Sequence, residues 1–156
     1  PGRAVAIFLE TLAPIGRVLH DALNKQVFLE TIILKAMREA QFGLPNPSHF
    51  SVAMAYDPLK AGAPVVLAKG RGEKALAMRE LARELTVPLV EVPALARSVY
   101  FTTRENQMIR EELYAAVAMV LAYVFSLRRG EELPLPPIEV PSALRFDAEG
   151  RAEGSP

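Results

Sequence analysis

The chain has 156 residues, about one domain's worth, and 51% apolar against 23% charged side chains give it the means to bury one sizeable core. Eighteen basic and eighteen acidic side chains cancel, which removes the overall basicity of a dedicated nucleic-acid binder. There is no cysteine, so disulfides, thiolate metal sites, iron–sulfur clusters and cysteine nucleophiles are excluded. Two histidines, His20 and His49, leave little for an imidazole site, and neither a metal nor a cofactor is expected.

The first region, residues 1–43, carries helix-like apolar spacing: Ile7, Leu12, Ile15, Leu19 and Leu23, then Phe28, Ile32, Ile33 and Met37. Pro14 and Gly16 break the first run, leaving two helical segments, of which Asp21–Ala40 is the stronger. No basic stretch precedes the apolar Ala4–Leu9 and no small-residue cleavage site follows it, which argues against a signal peptide. The chain opens on Pro1 rather than Met, as a fragment or a processed product would.

The second region, residues 44–129, alternates strand and helix patterns. Phe50–Tyr56 stops at the turn pair Asp57-Pro58, and Ala63–Ala68 is a short β-branched run of the kind found in buried strands. Glu73–Leu85 follows as a helix with Leu76, Met78, Leu81 and Leu85 on its apolar face. Leu89–Val92 reads as another strand, and Pro93 as the first-turn proline of a short helix over Ala94–Phe101. Arg110–Leu127 is a long helix, apolar nearly all round, and is expected at the centre of the core. Its uncharged run, Leu113–Leu127, is about fifteen residues, short of the roughly 18–20 that span a bilayer.

The third region, residues 130–156, holds Pro134, Pro136, Pro137 and Pro141 in close succession, with six acidic residues against two basic. Such a composition predicts a disordered acidic tail. The element order predicts an α/β fold: a small mixed or parallel open sheet of about four strands surrounded by helices, with an N-terminal helical segment. Ala63–Ala68 and Leu89–Val92 are expected to pair in parallel across the Glu73–Leu85 helix.

The residues with the most to offer chemically are Asn46-Pro47-Ser48-His49, directly before the Phe50–Tyr56 strand. By itself the tetrapeptide is an ordinary type I turn. What distinguishes it is the effect of proline on asparagine. Ordinary deamidation needs the next residue's backbone N–H, which Pro47 lacks. The intramolecular route left is attack by the Asn46 side-chain nitrogen on its own carbonyl, forming a succinimide and expelling Pro47 as a new N-terminus. Proximity and a strained turn favour that step, and His49 can carry the proton.

Three further features suggest chemistry less strongly. Gly70 and Gly72, in Lys69-Gly70-Arg71-Gly72-Glu73-Lys74, sit between strand and helix as in a nucleotide-binding turn, but without a third glycine or a Walker lysine–serine pair. Lys60, Lys69, Arg71, Lys74, Arg79 and Arg83 form either a solvated face or a docking surface for acidic partners. His20 has no second imidazole at ligand spacing.

The stretches NPSHFSVAMAYDP, APVVLAKG, ALAMRELARELTVPLVEVPALARSVY and EELYAAVAMVLAYVFSL follow one another from Asn46 to Leu127. Together they resemble the cytoplasmic domain of the flagellar and injectisome export-switch family, of FlhB/YscU type. The resemblance implies a component of a type III protein-export apparatus, with a membrane part upstream and a soluble domain at the cytoplasmic face of the bacterial inner membrane. It further implies cleavage between Asn46 and Pro47 with the pieces remaining associated, and control over which export substrates are accepted. Its partners are export-apparatus proteins and secreted proteins, and nucleic acid is not among them. By position Asn46 is the cyclising residue, Pro47 the new N-terminus and His49 the assisting residue, with Ser48 in place of the family's usual threonine.

The pattern departs from the family in three places, one of them Ile109-Arg110-Glu111-Glu112, where the family often has Ile-Pro-Glu-Glu. In Ala40–Pro45, the run leading into Asn46, Gly43 and Pro45 suit a central strand poorly, so that strand is expected to be short, at an edge or missing. Residues 1–39 lack the family's lysine-rich linker and do not look like the family. Two rivals to the self-cleaving reading follow: a non-cleaving relative acting as a protein-binding module, and a small nucleotide-binding domain using Gly70 and Gly72.

Overall fold

The structure, a computed structural model, describes residues 27, 29–46, 50–57, 59 and 62–153. The chain divides into two compact units, 1–35 and 36–156. A helix over 29–39 (α1) falls within the expected Asp21–Ala40 segment, whereas the helical segment expected before Asp21 lies outside the described residues.

The sheet has three strands, β1 (Phe42–Asn46), β2 (Phe50–Ala55) and β3 (Val65–Arg71), in that spatial order and with both pairs antiparallel. This corrects the expectation of a parallel or mixed sheet of about four strands. Leu89–Val92 is not a strand. It contributes one parallel bridge, Leu89 to Gly43, and so lies beside β1 rather than β3. The Gly43 N–H donates to the Pro88 carbonyl at 2.8 Å, and the Val90 N–H donates to the Gly43 carbonyl at 2.9 Å. Pro88 has no N–H to give and Pro93 already starts a helix, so the segment is too short for a ladder.

The strand expected over Ala63–Ala68 runs instead over Val65–Arg71. Lys69, Gly70 and Arg71 stay in register with Val52, Ser51 and Phe50. β1 takes the edge position. Both backbone groups of Gly43 point away from β2, so the Pro45 nitrogen, two residues on, points the same way and its missing hydrogen removes no bond from the β1–β2 ladder.

One face of the sheet, with Phe42, Leu44, Val52, Met54 and Val66, packs on α3 (Pro93–Thr102) through Leu95, Ala96 and Val99 and on α4 (Tyr114–Arg128) through Val117, Val120 and Val124. The other face presents small residues, Ser51, Ala53 and Ala68, which leave room for α2 (Gly72–Glu84). The inward residues of α2 are Ala75, Met78 and Ala82, and Leu76 is 51% exposed rather than part of the buried face. A 3₁₀ turn, Glu111–Leu113, leads into α4. This helix buries one side only, leaving Met119, Phe125 and Leu127 more than a third exposed, so it is a surface helix and not the centre of the core. Among the described residues no helix is long and apolar enough to cross a membrane.

The expected disordered tail is not confirmed. Val140 and Leu144 belong to the core cluster, and Leu135, Ile138 and Phe146 pack against it. A 3₁₀ turn over Ser142–Leu144 is followed by a small hairpin bridged between Phe146 and Ala152. The prolines alternate with apolar side chains that reach the core, and proline's restricted unfolded chain lowers the entropy lost on ordering.

Candidate functional site

Asn46 is the last residue of β1, and its cross-strand partner is Phe50, the first residue of β2. Pro47, Ser48 and His49 connect the two in sequence and lie outside the described residues, so the structure places Asn46 alone of the four expected site residues. Asn46 is 5% exposed. Its side chain is therefore drawn into the protein at the mouth of the hairpin, where χ1 is the rotation that brings the amide nitrogen to the residue's own carbonyl.

The post on the other side of the connection is held by aromatic stacking. The Phe50 ring lies 4.7 Å from that of Tyr100 and meets Phe101 edge-on at 5.4 Å, with Tyr100 and Phe101 edge-on to each other at 5.0 Å. Arg71 is the β3 partner of Phe50, and its guanidinium sits 4.7 Å from the Phe50 centroid. Asn46, Phe50 and Arg71 thus occupy one row across all three strands, and cross-strand partners share a face. Arg71 also donates from Nη2 to the Ala148 carbonyl at 3.2 Å, which ties the row to the C-terminal hairpin. That hairpin lies against the same rings: Phe146 is 5.8 Å from Phe101, and a Cβ on Gly150 would fall 2.7 Å from Phe101 Cε1.

Three of the six basic residues that the sequence offers as a docking face, Lys69, Arg71 and Lys74, are used internally. Lys69 donates from Nζ to the Tyr100 carbonyl at 2.7 Å and lies over the Tyr100 ring; its burial pushes its pKa down. Burial raises the pKa of Tyr100. Glu105 accepts from Lys74 Nζ at 2.8 Å and from the Lys69 backbone N–H at 3.0 Å. Burial opposes ionisation of Glu105, but these hydrogen bonds and the two ammonium groups prevail and hold its pKa below the ordinary value. Arg71 is bound as above; Arg79 and Arg83 lie on α2; Lys60 and His20 lie outside the described residues.

Gly70 and Gly72 do not make a phosphate cradle. A Cβ on Gly70 would meet Lys74 Cγ at 2.7 Å, so that space is filled by a side chain of this protein, and Glu73 stands in the first turn of α2. The Phe50–Tyr100–Phe101–Arg71 cluster is what reading the sequence missed. Arg71 was visible as a charge, but its place beside Phe50 depends on an antiparallel register that short apolar runs do not specify.

The FlhB HrpN YscU SpaS family model matches residues 23–124, well over half the chain. The chain belongs to this family. The match starts at residue 23, so the family portion includes 23–39, which corrects the reading of residues 1–39 as unlike it. The chain is 42% identical over 128 residues to the flagellar biosynthetic protein FlhB of Salmonella typhimurium, covering 78% of this chain and 33% of that protein. It is 48% identical over 107 residues to FlhB of Escherichia coli, covering 65% and 28%. The crystal structure of the cytoplasmic domain of FlhB from Shewanella putrefaciens is similar with a TM-score of 0.70 and 38% identity, covering 75% of this chain and 95% of that one. The chain therefore spans about a third of the length of the curated relatives it matches.

Proposed function

We propose that this domain is the switch module of a type III protein-export apparatus at the cytoplasmic face of the bacterial inner membrane, and that it cuts itself once between Asn46 and Pro47. Membership of the FlhB family supports the export role, and with it other export-apparatus components as partners and secreted proteins as the cargo it selects. The observation that carries the cleavage is the burial of Asn46 at the end of a strand whose next residue is proline. Asn46 Nδ2 attacks the Asn46 carbonyl carbon, the bond from that carbon to Pro47 N breaks, and the proton lost by Nδ2 ends on Pro47 N with His49 as relay. Ser48 supports the bend. The first piece is left with a C-terminal succinimide, which water opens afterwards.

Denaturing electrophoresis of the purified chain tests the reading. It should show two pieces divided after residue 46 in the wild type and one band in Asn46→Ala; an undivided wild type overturns it. One observation favours the second reading, a module that binds proteins without cutting. A groove of about 670 Å³ runs between α4 and the Pro-rich segment, lined by Ala115, Met119, Pro137 and Val140. If Asn46→Ala left export unchanged in cells, that reading would replace the first.

A further inference from the structure

We propose that Arg71 is a positioning residue for the Asn46–Pro47 cleavage, holding Phe50 in place as the cross-strand partner of Asn46. This rests on the cleavage reading above. The connection is three residues long, and its two ends are cross-strand partners, Asn46 and Phe50. A shift of Phe50 disturbs its pairing with Asn46 across β1 and β2, and so reaches the strand end that carries the carbonyl to be attacked.

Phe50 is held from three sides. Tyr100 and Phe101 contact it from α3, and the Arg71 guanidinium caps it from β3 at 4.7 Å. The same guanidinium lies 5.8 Å from the Tyr100 centroid and 5.9 Å from that of Phe101, so one cation faces all three rings. It is fixed in turn by the Ala148 carbonyl. Ala148 sits in a hairpin braced by Asp147, whose Oδ1 accepts from the Glu149 and Arg151 N–H groups at 3.0 and 2.9 Å. Arg97 Nε donates to the Phe146 carbonyl at 2.7 Å and pins that hairpin to α3. Contacts therefore run from the C-terminal hairpin through Arg71 to Phe50, the residue opposite Asn46. Arg71 itself is exposed, so replacing its guanidinium opens no core.

The test is a time course of cleavage after a pulse of cell-free synthesis of the full chain, with thermal unfolding of each protein measured alongside. Arg71→Met keeps an apolar stem but loses the cation and the bond to Ala148, and should cleave about tenfold slower than wild type. Arg71→Lys restores a cation over the ring and should return to within about threefold. Midpoints of all three should agree within about 2 °C, so that slowing is not the result of a weakened fold. Three results would overturn the role of Arg71 while leaving cleavage itself intact: Arg71→Met cutting at the wild-type rate, Arg71→Lys staying as slow as Arg71→Met, or slowing only in step with a large fall in midpoint. A wild type that never divides overturns the cleavage reading instead.

Discussion

Gly43 and Leu89 meet in a parallel bridge where a Cβ on Gly43 would lie 2.8 Å from Leu89 Cδ2. The 88–90 segment reaches the outer edge of β1 because nothing stands on Gly43. Gly43→Ala should destabilise the domain by about 1–2 kcal/mol, since the intruding methyl forces Leu89 off its position. Urea denaturation measures this. Leu89→Ala in the same chain should recover part of the loss, so the double variant costs less than the two single changes together. Strict additivity would mean that the close approach is relieved elsewhere.

Phe42 and Leu44 are fully buried, yet both lie on the N-terminal side of the proposed cut. Each contributes about 1.5–3 kcal/mol of burial, and none of it depends on the Asn46–Pro47 bond. The two pieces should co-elute on a sizing column without denaturant. Leu44→Ala should lower the urea concentration at which they part, and separation of the wild-type pieces in plain buffer would contradict this packing.

Much of the fold can be read from the sequence, because strong local patterns coincide with elements. The runs around Phe50–Ala55, Gly72–Glu84 and Pro93–Thr102 lie within a residue of their expected ends, and Tyr114–Arg128 starts four residues after the expected Arg110 because a 3₁₀ turn over Glu111–Leu113 comes first. Partnership was not legible. Leu89–Val92 has the composition of a strand, but its flanking prolines and a glycine 46 residues upstream decide that it makes a single bridge. The tail failed differently: its prolines and acids suggested disorder, while Val140 and Leu144, spaced between them, reach the core. At the candidate site, it is the chemistry of the proline after it that singles out Asn46 in the sequence. Nothing of that kind singles out Arg71 and Phe50, because register across three strands is a tertiary fact.

Glu105 gives the domain a pH signature. Its pKa in the folded protein lies below its ordinary value of 4.5, so it stabilises the fold above that pH, and this contribution fades as pH falls through the depressed folded value. Glu105→Gln should therefore unfold at a lower temperature than wild type at pH 7, with the gap closing as pH falls below the ordinary value of 4.5. The side chain is about a third exposed, so the gap should be modest. A gap that is constant from pH 7 to 3 would assign the loss to packing and not to charge.

Leu144 tests whether the Pro-rich segment is part of the fold. It is 7% exposed within the core cluster, and Leu144→Ala should cost about 2 kcal/mol in urea denaturation with the slope unchanged. A change near zero would mean that the segment detaches in solution.

The claim on which the rest depends is that the Asn46 side chain, and not water or a protease, breaks the bond to Pro47. Accurate masses of the two pieces, taken soon after synthesis, test it most directly. Cyclisation consumes nothing, so the masses should add up to that of the undivided chain, with the 1–46 piece lighter by one water than its hydrolysed form. Masses that already include an added water at the earliest time, or a cut at any other bond, would contradict the account.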